Sequence, residues 1–255
     1  IVATLGPASS SAEVLGRMID AGLDVARLSF SHGSADEHRA RAKLVRELAL
    51  ERERPVGLLG DLQGPKIRIG KFAQGKITLE RGQKFVLDVR CPVGDETRVG
   101  LDYPDLPRDV RPGDVLLLDD GKIRLQVDYV AGDRIHTTVL VGGVLSDHKG
   151  INRQGGGLSA PALTAKDMED IRLAAEIGVD FLAVSFPKNA ADIYMARQLM
   201  RAAGGHALII AKIERIEAVQ NLEEILQASD GIMVARGDLA VEVGDATVPA
   251  LQKKM

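Results

Sequence analysis

Short apolar runs rich in β-branched residues recur along the chain at 1–5, 25–30, 56–59, 181–186, 208–213 and 231–234. Their length and continuity predict strands buried on both faces, as in a parallel sheet. Between most of them, at 11–21, 35–52, 165–177, 190–203 and 218–228, apolar residues fall at three- and four-residue spacing, which predicts amphipathic helices of three turns or more. The pattern is therefore a βα alternation. Ala21-Gly22-Leu23-Asp24, Ile177-Gly178-Val179-Asp180 and Ala228-Ser229-Asp230-Gly231 share a local grammar before three of the strands. It reads either as an internal repeat or as turn chemistry alone, with glycine as a left-handed cap and aspartate in the following turn.

Between about Pro65 and Leu158 the period changes. Runs at 76–79, 84–89, 115–118, 122–127 and 134–141 predict short strands, with turn residues at Asp119-Asp120-Gly121 and a linker at Gly155-Gly156-Gly157 and Pro161. The expected organisation is α/β: a (β/α)8 TIM-barrel type begun in 1–65, a small inserted β-barrel domain in 66–160, and the barrel resumed in 161–255. About six barrel strands are legible where closure takes eight, so the barrel is expected to be incomplete at the C-terminus.

Composition narrows the function classes. A formal net charge of −3 and a pI near 6.0 give no broad basic field for nucleic acid or a membrane surface, so neither is expected as a partner. Cys91 is the one cysteine, which excludes an intrachain disulfide. With no signal-peptide pattern and no apolar run long enough to span a bilayer, a cytoplasmic protein is expected. The start at Ile1, without Met, suggests a segment of a longer gene product.

In βα barrels the chemistry collects where strands end. Here the second strand runs into Arg27 and Ser29-Phe30-Ser31-His32, the third into Asp61, the fourth into Ser185, the fifth into Lys212-Ile213-Glu214, and the sixth into Arg236-Gly237-Asp238. Glu214 and Asp238 suit Mg²⁺, which takes one or two carboxylates and completes its shell with water and substrate oxygens. Lys212 and Arg27 would balance an anionic substrate, which fits phosphoryl transfer. Each group alone has a plainer reading. Lys212 and Glu214 form an ion pair, Arg236-Gly237-Asp238 an exposed turn, Ser29 and Ser31 helix caps, and His32 a surface residue.

Taken together, Ile1-Val2-Ala3-Thr4-Leu5-Gly6-Pro7-Ala8-Ser9, Ala26-Arg27-Leu28-Ser29-Phe30-Ser31-His32-Gly33, Asp61-Leu62-Gln63-Gly64-Pro65-Lys66-Ile67-Arg68, Ala211-Lys212-Ile213-Glu214 and the run from Gly231 to Leu239 closely resemble the pyruvate kinase family. The resemblance implies phosphoryl transfer from phosphoenolpyruvate to ADP, giving pyruvate and ATP, on a βα barrel whose inserted domain acts as a lid. It implies Glu214 and Asp238 as Mg²⁺ ligands, with Mn²⁺ an alternative metal. Lys212 is implied as the group neutralising the phosphoryl in flight, Arg27 as the phosphate holder, and the Gly237 and Asp238 N–H groups as contacts of the substrate carboxylate. Nucleotide contacts are implied at Ser29, Phe30, Ser31, His32, Arg68 and Lys149.

Departures from the family pattern fall in the monovalent-cation region. Its positions are Ser29, Ser31, Asp61 and Leu62, and Lys66 stands where many members carry a glutamate. An ammonium there resembles the K⁺-independent branch, so K⁺ is not expected to be required. Ala240 replaces a glycine the family often has. The resemblance further implies a homotetramer and a C-terminal regulatory domain beyond Met255; an isolated segment of this length would expose the flanks of an open barrel and is expected to be inactive or poorly soluble. Two rival readings are a Mg²⁺-dependent pyruvate or phosphoenolpyruvate lyase and a non-catalytic phosphometabolite-binding protein. Lys149 and the inserted domain argue against the first, and intact Lys212, Glu214 and Asp238 against the second.

Overall fold

The computed structural model describes all residues from Ile1 to Met255. In chain order the first segment carries β1 (Val2–Thr4), a 3-10 turn (Pro7–Ser9), α1 (Ala12–Asp20), β2 (Val25–Ser29), α2 (Ala35–Glu51) and β3 (Gly57–Asp61). The middle carries β4 (Lys76–Leu79), β5 (Lys84–Asp88), β6 (Arg98–Val99), α3 (Leu106–Asp109), β7 (Val115–Leu118), β8 (Ile123–Ala131), β9 (Arg134–Val141), β10 (Gly143–Ser146) and β11 (Ile151–Arg153). The last carries α4 (Ala165–Glu176), β12 (Phe181–Val184), α5 (Ala190–Ala202), β13 (Leu208–Ile213), α6 (Ile216–Gln220), α7 (Leu222–Ala228), β14 (Gly231–Val234), α8 (Arg236–Val243) and α9 (Val248–Lys254). No helix is long and apolar enough to cross a membrane.

Two compact units are present. The first comprises Ile1–Pro65, Ala162–Ile213 and Ala218–Val234, and the second Lys66–Pro161, Glu214–Glu217 and Ala235–Met255.

The first unit is an α/β fold built on one curled half-barrel sheet of order β1-β2-β3-β12-β13-β14, every neighbouring pair parallel. Its inner strands read as apolar runs because both faces are covered. Leu28, Leu58, Leu182 and Ile209 are fully buried, as are Ile19, Val45, Ala174 and Ile193 on the apolar stripes of α1, α2, α4 and α5. Helix starts follow from side-chain caps: Ser11, Ser34, Thr164 and Asn189 each accept a first-turn N–H, and Glu37 and Asp167 close capping boxes.

The shared grammar before the strands has a structural cause beyond the turn. Gly22 and Gly178 take left-handed conformations with matching bonds, Leu23 N–H to Met18 and Val179 N–H to Ala174, which close α1 and α4. Each aspartate then ties down the start of the neighbouring strand. The Asp180 carboxylate accepts from Leu58 N–H at 2.6 Å and Arg46 at 3.0 Å, and that of Asp230 from Ile209 N–H at 2.7 Å and Arg197 at 2.8 Å. Asp24 does the same for the Ile1 ammonium. In the third copy Ser229 caps α7 in an extended conformation, so the glycine is not needed there.

The helix expected over 218–228 is two helices. Asn221 interrupts it, and its side-chain amide donates to the carbonyl of Lys188 at 2.9 Å. The strand expected to stop at Val127 continues to Ala131 with two register shifts against β9, and the strand expected to reach Val89 ends at Asp88.

The second unit holds a sheet of order β11-β7-β8-β9-β5-β6 and the pair β10-β4. Strict alternation in β8, with Ile123, Leu125 and Val127 inward and Arg124 and Gln126 outward, aims one face at a core that includes Phe85, Leu87, Leu116, Leu118 and Ile135.

Candidate functional site

In the first unit the C-terminal ends of four strands converge on Asp61. This carboxylate, 2% exposed at the last residue of β3, accepts from Arg27 Nε at 2.5 Å through Oδ2, and its Oδ1 lies 3.2 Å from Lys212 Nζ. Arg27 reaches it from β2 and also donates to Thr4 Oγ1, at the end of β1, at 2.7 Å. Lys212 reaches it from β13 and donates to Ser185 Oγ at 2.7 Å; Ser185 in turn donates to the Leu62 carbonyl at 2.7 Å. Two cations thus share one buried carboxylate.

Gly64 sets how closely the Asp61–Pro65 turn approaches Ser185. Its φ is +67°, its N–H donates to Asp167 Oδ1 at 3.0 Å, and a Cβ on it would lie 2.7 Å from Ser185 Cβ. Gly64→Ala is therefore expected to cost about 2 kcal/mol through left-handed strain and overlap, and to lower turnover by moving Ser185 away from Lys212. Urea titration beside steady-state rates checks both; an unchanged kcat would show that Ser185 does not position the lysine.

Ser29, Phe30, Ser31 and His32 form the turn out of β2. Phe30 is buried, its N–H donates to the Asp61 carbonyl at 2.9 Å, and its own carbonyl accepts from Lys166 Nζ at 2.7 Å. Beneath it lies His38, 2% exposed, its ring edge-on to Phe30 at 4.9 Å and neither ring nitrogen hydrogen-bonded. Burial, then the Arg41 charge, push its pKa below the usual 6.5, against opposing pulls from the His32 backbone, Asp170 and Glu37. His38 is neutral in the fold and must charge in acid. Its contribution is complete above the unfolded pKa and declines as pH falls below about 6.5. Chemical unfolding between pH 7.5 and 5 should show that loss, and His38→Gln should flatten it.

In the second unit Arg68 and Lys149 come together. Arg68 forms an antiparallel bridge to Gly150, its guanidinium donates to the His148 carbonyl at 3.0 Å, and Ile69 N–H donates to the Lys149 carbonyl at 2.9 Å. Lys149 Nζ lies 2.8 Å from Asp119 Oδ1. Arg68 N–H is held by Asp102, whose pKa burial raises. Lys66, expected beside the monovalent-cation region, donates to Asp238 Oδ1 at 3.3 Å. Gly237 and Asp238 occupy the first turn of α8, where N–H groups lack intrahelical acceptors. Gly237 lines a cavity of about 1020 Å³ with Lys122, Arg236 and Glu242.

Glu214, which follows β13, is buried. The next residues knit the same stretch to the glycine linker: Glu217 Oε1 accepts from Gly157 N–H at 2.6 Å, Arg215 Nη2 donates to the Leu158 carbonyl at 3.4 Å, and Glu242 accepts from Ile216 N–H at 3.0 Å. Burial raises the Glu242 pKa. Sequence reasoning passed over Thr4 and Asp119. Thr4 had the same signal as its neighbours, a polar residue at a strand's C-terminal end; Asp119 read only as a turn former.

The family model described as "Pyruvate kinase, barrel domain" matches residues 1–255. Among curated proteins the chain is 54% identical over 260 residues to a pyruvate kinase of Haemophilus influenzae and 54% identical over 260 residues to pyruvate kinase II of Salmonella typhimurium. It is 45% identical over 254 residues to a pyruvate kinase of Corynebacterium glutamicum. Each alignment covers 100% of this chain and 54% of the relative, so the chain spans about half the length of the curated relatives it matches.

Proposed function

The chain belongs to the pyruvate kinase family, and from that premise we propose that the full-length protein is a Mg²⁺-dependent cytoplasmic phosphotransferase of glycolysis. It moves the phosphoryl group of phosphoenolpyruvate to ADP, giving pyruvate and ATP. The observation that carries this reading is the buried Lys212 ammonium, held by Ser185 and Asp61 with Arg27 on the same carboxylate. Transfer breaks the bond between phosphorus and the enol oxygen of phosphoenolpyruvate and forms one to a terminal oxygen of ADP. The charge spread over the moving group needs fixed cations rather than a covalent partner. Lys212 supplies one at the end of a rigid strand, and Arg27 holds the substrate phosphate. The first-turn N–H groups of Gly237 and Asp238 take the substrate carboxylate.

Glu214 and Asp238 are the proposed metal ligands. The fit rests on donor chemistry: two carboxylates, the buried Glu214 and Asp238 in the first turn of α8, suit a hard cation that keeps water and substrate oxygens in its shell. When bound, Mg²⁺ supplies positive charge to the phosphoryl oxygens. Asp61 is committed to its two cations and lies outside this donor set. Ser29, Phe30, Ser31, His32, Arg68 and Lys149 are proposed to meet the nucleotide. The finer architecture is a (β/α)8-type barrel with 66–160 as an inserted lid, in a homotetramer.

Independence from K⁺ is also part of the proposal, with the Lys66 ammonium as an internal cation beside Ser29, Ser31, Asp61 and Leu62. Its contact with Asp238 supports a narrower version, in which Lys66 places positive charge on the metal-binding carboxylate. The test is pyruvate formation from phosphoenolpyruvate and ADP by the full-length protein, with Mg²⁺ and with K⁺ excluded and then restored. Turnover without K⁺ supports both parts. Turnover only with K⁺ removes the role of Lys66, and silence in both removes the kinase.

A further inference from the structure

We propose that Asp119 is a positioning residue that aims Lys149 at the nucleotide phosphates, an inference that rests on the nucleotide-binding reading of Lys149. Asp119 follows β7 directly and Lys149 lies just before β11, its antiparallel partner, with Leu118 opposite Ile151. The backbone joins the two sites as well, since Asp119 N–H donates to the Gly150 carbonyl at 3.2 Å.

The side chain of Asp119 is 12% exposed and divides its two oxygens: Oδ1 lies 2.8 Å from Lys149 Nζ, and Oδ2 accepts from Lys122 Nζ at 3.1 Å. Its pKa is lowered first by the hydrogen bond from Lys149. The backbone is bent to make this possible. Asp119 and Asp120 take φ of 49° and 56°, the left-handed conformation of a tight turn, which aspartate shares with asparagine and glycine. The turn leaves a shielded carboxylate held between two lysines.

A free lysine samples many rotamers, and fixing its head costs entropy that a nucleotide would otherwise bear. Asp119 fixes it in advance. The same anion offsets repulsion among Lys149, Lys122 and the neighbouring Arg68, which the bridge to Gly150 holds close. An ammonium has three donors, so one spent on Asp119 leaves two for phosphate oxygens.

The experiment compares Asp119→Asn, Asp119→Glu, Lys149→Met and the double variant Asp119→Asn/Lys149→Met in the full-length protein. It reads KM for ADP, KM for phosphoenolpyruvate and kcat, with ADP affinity measured independently by calorimetry. Asparagine tolerates the left-handed backbone, and Asp119→Gly replaces it if the fold is lost. Asp119→Asn is expected to raise KM and Kd for ADP about threefold to tenfold, the worth of one such hydrogen bond. KM for phosphoenolpyruvate should stay within about twofold. Asp119→Glu should recover most of the loss, and Asp119→Asn should add nothing once Lys149 is Met. An unchanged or lowered KM for ADP in Asp119→Asn, beside a raised one in Lys149→Met, overturns the positioning role and leaves the nucleotide reading standing. No effect in Lys149→Met overturns both.

Discussion

Lys212→Met in the full-length protein should fold and bind phosphoenolpyruvate, yet turn it over about 10³-fold or more slowly, at the upper end of what one electrostatic contact to a transition state contributes. Methionine nearly matches lysine in length and removes the charge. Lys212 is 9% exposed, so little water can enter to replace the lost cation. Asp61 would still pair with Arg27, which limits the damage to the fold. Arg27, proposed to hold the substrate phosphate, would stay in place, so KM should move less than kcat, the signature of an interaction made mainly in the transition state. Lys212→Arg should rescue poorly. A planar guanidinium cannot donate to Ser185 Oγ and face Asp61 Oδ1 from the point an ammonium occupies. A kcat within about tenfold of the parent would remove Lys212 from the chemistry.

The strands of the parallel sheet were legible as short apolar runs, the inner ones covered on both faces, a property that survives in one dimension. The helices were legible by period and by caps such as Ser34 with Glu37. What escaped depends on partners far away in the chain. Nothing near Asn221 announces that its amide will donate to Lys188 and break a helix. β6, β10 and β11 are two to four residues long and exist only through register with other strands. The polar residues at strand ends were legible as a set, but not their pairing. Asp61 read as part of a cation region and is the shared counter-charge of Arg27 and Lys212. Asp180 and Asp230 read as turn formers and also hold the first residues of neighbouring strands. Spacing along the chain says which residues face one end of a sheet; only packing says which carboxylate meets which ammonium.

Asp61→Asn is the substitution expected to harm both fold and activity most. The amide keeps the size of the carboxylate and removes a negative charge that Arg27 and Lys212 share. Removing one partner of a buried ion pair typically costs about 3 kcal/mol or more, because the other charge is left uncompensated. Here two cations lose a shared partner, one of them a lysine whose side chain is 11% exposed. The cost should depend on pH in a defined direction. Losing a nearby negative charge makes the charged form of Lys212 less favourable in the folded state and not in the unfolded one, so the unfolded state binds more protons. The deficit of Asp61→Asn relative to the parent should therefore be largest at neutral pH and shrink as pH rises toward 10, while Arg27 stays charged throughout. Urea titrations of both proteins at pH 7 and pH 9.5 measure this. A deficit independent of pH would place the loss in hydrogen bonding alone and show that Lys212 does not depend on Asp61 for its charge. Adding Lys212→Met to Asp61→Asn should recover part of the stability and none of the turnover, because it removes the ammonium that has lost this carboxylate along with the group proposed to act on the phosphoryl.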